Sequence, residues 1–269
     1  MNEPSSKPNW LLPAASLWRR EIVRFVRQRS RVIGALGTPI VFWLLIGSGL
    51  GRSFALPAAS ESNGAPVHYL EYFFPGTMVL IVLFTAIFST ISIIEDRREG
   101  FLQAVVAAPI PRSAIVFGKT LGSTTLAVVQ ALLFMAFAPA AGVTLTFGSV
   151  VLLAITLIVL GIGLSGLGFL IAWPMDSTQG FHAIMNLFLF PMWFLSGALF
   201  PKVGASSWIG WIMTANPLTY GVAAVRRALY GEMSNGSLPS YGVSMVVTAA
   251  FAVAMITVSA WMVGRRDSK

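Results

Sequence analysis

Two glycine-containing stretches have residue types that could hold a nucleotide phosphate. The stretch from Gly161 to Gly166 has the G-x-G-x-x-G spacing, and the stretch from Ser113 to Thr120 ends in the Gly-Lys-Thr of a Walker A loop. The first lies within a long apolar run with no preceding strand. The second has Ser113 in place of the first glycine and bulky apolar residues where a backbone anion nest would form. The sequence therefore predicts no nucleotide site on this chain, and it predicts that the glycines of the first stretch serve close helix packing.

Histidines and cysteines are too few for hydrolytic or metal chemistry. The chain has two histidines, His68 and His182, and the carboxylate nearest to His182 in the sequence is Asp176. A catalytic triad or a closed metal site needs three or four suitable side chains together. The chain has no cysteine, which excludes disulfides, thiolate metal sites and cysteine nucleophiles. We therefore expect no catalytic residue, no metal site and no cofactor bound by this chain.

The composition indicates which secondary-structure elements make up most of the chain. Of the 269 residues, 56% are hydrophobic and 10% charged, whereas soluble domains carry about 25% charged residues. Long runs are free of Asp, Glu, Lys and Arg, lack two-residue alternation and reach the roughly 20 residues that a helix needs to cross a bilayer. The sequence predicts one all-α integral membrane domain over residues 1–269. Its six transmembrane helices are predicted at residues 32–50, 72–94, 120–141, 148–172, 181–200 and 241–264.

The orientation follows from the positions of Lys and Arg. If the N-terminus is cytoplasmic, 14 of the 18 Lys and Arg lie in inner segments, and the outer segments hold Arg52, Lys202, Arg226 and Arg227. This distribution follows the positive-inside rule and predicts that both termini are cytoplasmic. The first apolar run begins at Val32 and is too long for the core of a cleavable signal peptide. The net charge of +8 is not spread over one soluble face, so nucleic acid is not an expected partner.

Residues 1–31 are predicted to form an inner tail followed by an amphipathic helix over residues 13–31. Its apolar and basic residues fall on opposite arcs of a helical wheel. The apolar arc includes Trp18, Ile22 and Phe25, and the basic arc holds Arg20, Arg24, Arg27 and Arg31. Such a helix lies in the inner interface with its arginines near anionic headgroups. Two roles of this helix remain open: it anchors the topology of the chain, or it binds a partner protein.

The connection over residues 95–112 is predicted to hold one short helix from Glu95 to Ala108, ended by Pro109 and Pro111. Its residues Phe101, Leu102, Val105 and Val106 make an apolar edge that is too short to span a membrane. The edge must therefore contact lipid, the neighbouring helices or another protein.

The outer segment over residues 201–239 contains two apolar pieces, each too short to cross. They predict a re-entrant or surface-lying pair of helices, broken at Asn216-Pro217. Arg226 and Arg227 would then either snorkel to the outer headgroups or line an exit for an anionic or polar substrate. The sequence leaves these alternatives open.

Transport through such a bundle needs an energy source. A proton-driven transporter normally carries a carboxylate or a histidine at mid-membrane. The predicted spans contain no such residue apart from His182 at the edge of the fifth. Sodium coupling through broken helices stays possible, but the organised inner helices favour an external drive.

Several motifs occur together along the chain. They are Phe74-Pro75-Gly76, the segment from Glu95 to Leu102 with Pro109 and Arg112, Gly118-Lys119, the run from Phe190 to Pro201, and Asn216 to Tyr220 with Arg226-Arg227. In these motifs the sequence resembles the permeases of the type-2 ABC exporter family. The resemblance covers essentially the whole chain and is closest to the daunorubicin-resistance and nodulation-factor export branch.

The resemblance implies a half-transporter of six helices in the inner membrane of a prokaryote. It would form a homodimer and bind two copies of a separate ATPase subunit, which would carry ATP and Mg²⁺. The implied coupling residues are Glu95, Asp96, Arg97, Arg98, Glu99, Gly100, Phe101, Leu102, Pro109 and Arg112. The helix over residues 13–31 would be the interfacial helix flanking the gate, and the outer re-entrant segment would hold Asn216, Pro217, Tyr220, Arg226 and Arg227. The loop from Trp173 to Gly180 has no basic residue, so a second docking contact is not expected there.

The implied function is ATP-driven export of amphipathic small molecules, drug-like or lipid-linked. Two alternatives remain. One is export of a polysaccharide or lipo-oligosaccharide, since the family does both. The other is a channel or membrane scaffold that needs no ATPase.

Overall fold

The computed structural model describes residues 10–49, 69–202, 204–231 and 238–265, without the side chains of residues 30 and 31. Over these ranges all regular structure is helical. The helices are α1 Leu11–Arg27, α2 Arg29–Gly49, α3 Tyr69–Ser89, α4 Ile91–Arg98, α5 Phe101–Ala107, α6 Arg112–Phe134, α7 Phe147–Ala172, α8 Thr178–Phe194, α9 Ser207–Ala215, α10 Pro217–Tyr230 and α11 Tyr241–Arg265. The predictions for residues 1–9, for Arg52 and His68, and for residues 203 and 232–237 of the outer segment lie outside the described residues.

Five helical stretches within the described residues are long and apolar enough to cross a membrane. They are Val32–Gly49, Tyr69–Arg98, Arg112–Phe137, Phe147–Ala172 and Tyr241–Arg265. The predicted span over residues 181–200 corresponds to α8, which has 17 residues and a length of about 26 Å. After α8 the chain turns, and Gly197 has a φ of +81°, a conformation that favours glycine. The chain is therefore a multi-pass membrane protein that is helical over its described ranges, and a sixth span stays a prediction.

Four of the six predicted spans differ from the structure in their bounds by more than one residue. Helix α2 begins at Arg29 rather than at residue 32, and α8 covers Thr178–Phe194 rather than residues 181–200. The predicted helix over residues 120–141 begins at Arg112, directly after the extended Pro111, and ends at Phe134. The predicted helix over residues 72–94 is divided near Thr90, whose hydroxyl donates a hydrogen bond to the carbonyl of Ile87 at 2.6 Å. By contrast, α7 and α11 match their predicted bounds within one residue.

The bundle is built around α3, which is almost entirely buried. Trp43 of α2 and Phe134 of α6 meet Phe74 of α3 with ring centroids 4.9 to 5.8 Å apart. Helices α7 and α11 approach closely at the glycine motif. A Cβ at Gly163 would lie 2.7 Å from a ring carbon of Phe251, and one at Gly166 would lie 2.9 Å from Cβ of Met255. The prediction that these glycines serve helix packing is confirmed.

Candidate functional site

The predicted coupling segment, residues 95–112, contains the end of one helix and a second short helix, so the prediction of one helix over residues 95–108 is wrong. Helix α4 ends at Arg98 and α5 begins at Phe101. Between them Gly100 has a φ of +79°. This left-handed conformation suits glycine and stops a helix. The two helices can therefore present different faces to their surroundings.

Helix α1 packs against α6 at two glycines. A Cβ at Gly118 would lie 2.7 Å from Cβ of Leu17 and 2.8 Å from the carbonyl oxygen of Ala14. A Cβ at Gly122 would lie 2.7 Å from Cβ of Glu21. The indole nitrogen of Trp18 also donates to Thr125 Oγ1 at 3.0 Å. The amphipathic helix is therefore part of the bundle, with Phe25 buried as well.

We expect Gly118→Ala to destabilise the chain by about 1–3 kcal/mol, because the new methyl group would overpack the contact with α1. Gly37→Ala is a matched control, since a Cβ at Gly37 meets no atom within 4 Å. It should be neutral or stabilising by about 0.5–1 kcal/mol. Denaturant unfolding in detergent measures both changes. Equal free energies of unfolding for the two variants would contradict the close packing of α1 on α6.

A buried charge cluster joins α1, α4 and α6. It consists of Glu21, Ser92, Asp96 and Lys119, and the Lys119 side chain is 2% exposed. The Lys119 ammonium contacts the carboxylates of both Glu21 and Asp96, and its Nζ lies 3.2 Å from Ser92 Oγ. The hydroxyl of Ser92 donates to Glu21 Oε2 at 2.6 Å. Buried charges are normally paired in this way because desolvation penalises an isolated ion.

Two arginines of α1 extend this cluster. Arg20 donates to both carboxylate oxygens of Asp96, at 2.8 and 2.7 Å, and this bonding raises the pKa of Arg20. Arg24 donates to Asp96 Oδ1 at 2.6 Å and lies 2.9 Å from Glu95 Oε2 and 3.2 Å from Glu99 Oε1. Arg20 and Arg24 of the predicted basic arc therefore pair with carboxylates of the same chain, and the position of this arc near headgroups stays a prediction.

The other residues of the predicted interfacial helix are divided between two helices of the structure. Arg27 is exposed at the end of α1, and Ile22 is half-buried. Arg31 belongs to α2, because α1 ends at Arg27 and Gln28 separates the helices. The predicted continuous helix over residues 13–31 is therefore wrong after Arg27.

The opposite face of α4 carries the arginines that contact the loop before α8. Arg97 donates to the carbonyls of Met175, at 2.8 Å, and Trp173, and it lies 3.1 Å from Asp176 Oδ1. Arg98 Nε donates to the carbonyl of Asp176 at 2.9 Å. The carboxylates of α4 thus face α1, while its arginines face this loop. The loop contacts the coupling segment of its own chain.

Helix α5 has an inward apolar edge and an outward face of small residues with one glutamine. Leu102 is buried, and Phe101, Val105 and Val106 pack against the core. The ring of Phe101 also lies 3.7 Å from the guanidinium carbon of Arg20. Of the three partners that the sequence left open for the apolar edge, the structure shows the neighbouring helices. The exposed residues of α5 are Gln103, Ala104 and Ala107, and Pro109 after it is also exposed.

A cavity of about 570 Å³ lies between α2, α3 and α8. Most of its wall is aromatic or aliphatic, and polar atoms come from threonines, His182 and Glu95. The aromatic residues of its wall are Phe25, Phe42, Phe84, Phe88 and Phe190. Pockets of this volume and lining suit small amphipathic ligands.

The outer segment folds as the two predicted short helices. Asn216 caps α10, since its Oδ1 accepts from the amide of Leu218 at 3.0 Å. Its Nδ2 donates to the carbonyls of Met192 and Leu195, at 2.6 and 3.1 Å. Pro217 is the first residue of α10, and the Tyr220 hydroxyl donates to the carbonyl of Thr214 at 3.1 Å. These contacts attach α9 and α10 to the end of α8.

Arg226 and Arg227 are buried, at 6% and 7% exposure. The guanidinium carbon of Arg226 lies 4.2 Å from the ring centroid of Tyr72, and its Nη2 lies 3.3 Å from the Tyr72 carbonyl oxygen. Arg227 donates to the carbonyl of Leu238 at 3.0 Å. Both side chains therefore pack inside the bundle, and Arg226 also lines a small cavity beside α9 and α10. Snorkelling and an exit lining both stay predictions.

Sequence reasoning missed Glu21 and Lys119. Glu21 lies among the apolar residues of α1, three residues after Trp18 and four before Phe25, and an acidic residue on an apolar arc was the signal. Lys119 was assigned to an inner segment, although it lies inside α6. Among the described residues, no group of three or more His, Asp or Glu side chains could hold a metal ion.

Comparison with known proteins shows what this architecture is related to. A family model described as ABC-2 type transporter matches residues 14–230. The chain is 27% identical to a putative transport permease, ycf38, of Cyanophora paradoxa, over 81% of this chain and 74% of that protein. It is 24% identical to nodulation protein J of Sinorhizobium fredii, over 98% of this chain and 95% of that protein.

A third relative is the daunorubicin resistance ABC transporter permease protein DrrB1 of Streptomyces coeruleorubidus. The identity is 22%, over 80% of this chain and 74% of that protein. These relatives include the branch that the sequence resembles, and the family match covers most of the chain. This multi-pass helical membrane protein therefore belongs to the ABC-2 type transporter family, as a permease.

Proposed function

We propose that this chain is the membrane-spanning subunit of an ATP-driven exporter of amphipathic small molecules, powered by a separate ATPase subunit. The observation that carries the proposal is the coupling segment. Its charged helix α4 is fixed to α1 and α6, while the adjacent α5 keeps an exposed face at residues 103, 104 and 107. A soluble partner that contacts α5 could therefore move several helices together.

The charge cluster supports a rigid-body mechanism. A force on α5 reaches α4 across the turn at Gly100, and Asp96 of α4 is held by Lys119 of α6 and by Arg20 of α1. Packed elements linked in this way shift as units rather than deform. ATP-driven closure of the partner subunits would thus move α1, α4 and α6 together and change the space beside α3.

We further propose a homodimer with two ATPase copies, six spans per chain and cytoplasmic termini in the inner membrane of a prokaryote. Helices α2 and α8 border the cavity and carry exposed apolar side chains, including Leu45 at 66% and Leu187 at 68% exposure. Such faces suit lipid or a second copy of the chain. In this arrangement α8 would be the short additional span, continued by the turn and by α9.

The cavity supports the substrate class. Its volume of about 570 Å³ and largely apolar wall fit a drug-like or lipid-linked molecule with a small polar part. Similarity to nodulation protein J over 98% of the chain supports a second candidate, export of a lipo-oligosaccharide. A channel or scaffold without an ATPase is the third possibility, and purification with the partner distinguishes it.

The experiment is reconstitution of the chain with its ATPase in vesicles loaded with fluorescent amphiphiles or with labelled lipo-oligosaccharides. We expect ATP-dependent export of the amphiphiles and a retained ATPase subunit. A chain that never retains an ATPase subunit would overturn the proposal. If only the labelled lipo-oligosaccharide is exported, the substrates are lipo-oligosaccharides and not amphipathic small molecules.

We expect Ala35→Phe to reduce export about tenfold, equivalent to ~1.4 kcal/mol of binding, because the ring would occupy part of the cavity that Ala35 lines. ATPase binding should stay unchanged. Val41→Phe is the control on the same helix, since Val41 is exposed and lies outside the lining. Equal export by both variants would show that the substrate does not use this cavity.

A further inference from the structure

A second cavity, of about 580 Å³, lies on the arginine side of α4. It is bounded by α5, the start of α6 and the end of α7. Its polar lining residues are Arg97, Gln103, Arg112 and Trp173, and Leu102 and Val106 provide apolar wall. This cavity is separate from the one between α2, α3 and α8, with which it shares no lining residue.

The charges around this cavity are segregated. The carboxylates of α4 face the arginines of α1, on the other side of the helix. No Asp or Glu is among the described residues that line the cavity. Asp176 lies near Arg97, at 3.1 Å, but its side chain is 84% exposed. The lining therefore offers cationic groups and hydrogen-bond donors, which favours an anionic ligand.

Trp173 provides an independent observation. It is 4% exposed, and its Nε1 has no hydrogen-bond partner among the described residues. An indole N–H can only donate, and buried donors normally have an acceptor. The indole ring is held by stacking on Phe169, with centroids 5.3 Å apart. An acceptor atom of a bound ligand would satisfy this buried donor.

The position of the cavity indicates which anion it meets. Trp173 follows the last residue of α7, and Arg112 Nη1 donates to the carbonyl of Val263, near the end of α11, at 3.0 Å. The cavity thus lies where three long apolar helices begin or end, and the headgroups of a surrounding bilayer are expected near the ends of such helices. Basic pockets between membrane helices bind anionic headgroups, and Trp is enriched at this level.

We propose that this cavity binds the phosphate group of an anionic glycerophospholipid. Arg112 and the indole nitrogen of Trp173 are the phosphate donors, Arg97 adds a positive charge beside them, and Leu102 and Val106 contact the glycerol and the first acyl carbons. The lipid then bridges the coupling segment to α6 and α7. The proposal needs the membrane placement of the chain, but it does not depend on the exported substrate. Its test uses the chain without the ATPase subunit, because Gln103 and Ala107 of the exposed α5 face also line the cavity.

Native mass spectrometry of the purified, delipidated chain tests this site with added phosphatidylglycerol or phosphatidylcholine. We expect the anionic lipid to bind about tenfold more tightly, since charge-assisted hydrogen bonds are the stronger ones. Arg112→Gln and Trp173→Phe should each weaken its binding about fivefold. Trp173→Phe removes the N–H and retains a ring that can stack on Phe169, so its thermal unfolding should match that of the parent chain.

Arg98→Gln is the matched control. It also removes one positive charge from α4, but Arg98 does not line the cavity, so binding should change by less than about twofold. Equal binding of the two lipids, or equal loss in the control, would overturn the proposal. Displacement of the lipid by millimolar inorganic phosphate would identify a free-anion site instead. If the ATPase subunit shields Arg112 from solvent in the absence of lipid, the cavity binds an acidic residue of that subunit, and the lipid proposal is wrong.

Discussion

Replacing Lys119 with methionine should destabilise the chain by about 3–5 kcal/mol, because Glu21 and Asp96 would keep their buried charges without the central cation. Lys119 contacts both carboxylates and is 2% exposed. Methionine has a similar length and no charge, so the change removes the ion pairs rather than the packing. Denaturant unfolding in detergent gives the difference in the free energy of unfolding.

Two further variants separate a charge effect from a packing effect. The double variant with Glu21→Gln and Lys119→Met removes one carboxylate with the cation and should recover part of the lost stability. Arg27→Met removes an exposed cation of α1 and should change stability by at most about 0.5 kcal/mol. A Lys119→Met chain as stable as the Arg27→Met chain would show that the charge cluster contributes nothing to the fold.

The length of runs without charged residues predicts the positions of most spans. This criterion fails where a helix buries a charged side chain. Helices α7 and α11 follow apolar runs bounded by polar residues, so their bounds agree with the sequence. The search for charge-free runs predicts Lys119 outside the third span, since a lone lysine is costly in a membrane helix. The sequence does not show that Glu21 and Asp96, 98 and 23 residues away, neutralise it.

The sequence predicts which segments form the candidate site, but it does not predict which residues of these segments contact each other. The sequence predicts functional roles for residues 95–112 and for the amphipathic helix. It does not show that Arg20 and Arg24 of this helix pair with Asp96, because that contact depends on tertiary packing. The break at Gly100 had a sequence signal, since glycine is typical where a helix stops. Burial of Arg226 had none, because the ring and carbonyl of Tyr72 lie 154 residues away.

The structure also changes which residues of the coupling segment can test docking. Glu95 and Phe101 contact Arg24 and Arg20 of the same chain. Their replacement would therefore disturb the attachment of α1 as well as any docked partner. Ala104 avoids this ambiguity, since it is exposed and its methyl group cannot form a hydrogen bond or an ion pair with the rest of the chain.

We expect Ala104→Arg to weaken binding of the ATPase subunit about 30-fold or more, because a bulky cation at the centre of a small-residue face cannot be accommodated in a fitted interface. ATP-dependent export should be lost with it. Co-purification and transport in vesicles measure the two effects, and unfolding should match that of the parent chain because the side chain points outward.

Ala15→Arg provides the control for this prediction, since Ala15 is equally an exposed helical alanine but lies on α1. It introduces the same charge and volume away from α5 and should leave ATPase binding intact. Loss of binding in both variants would indicate a general effect of added charge, and retention in both would move the docking surface away from α5. Loss in Ala104→Arg alone would assign the outward face of α5 to the partner. The charge cluster would then connect that contact to α1 and α6.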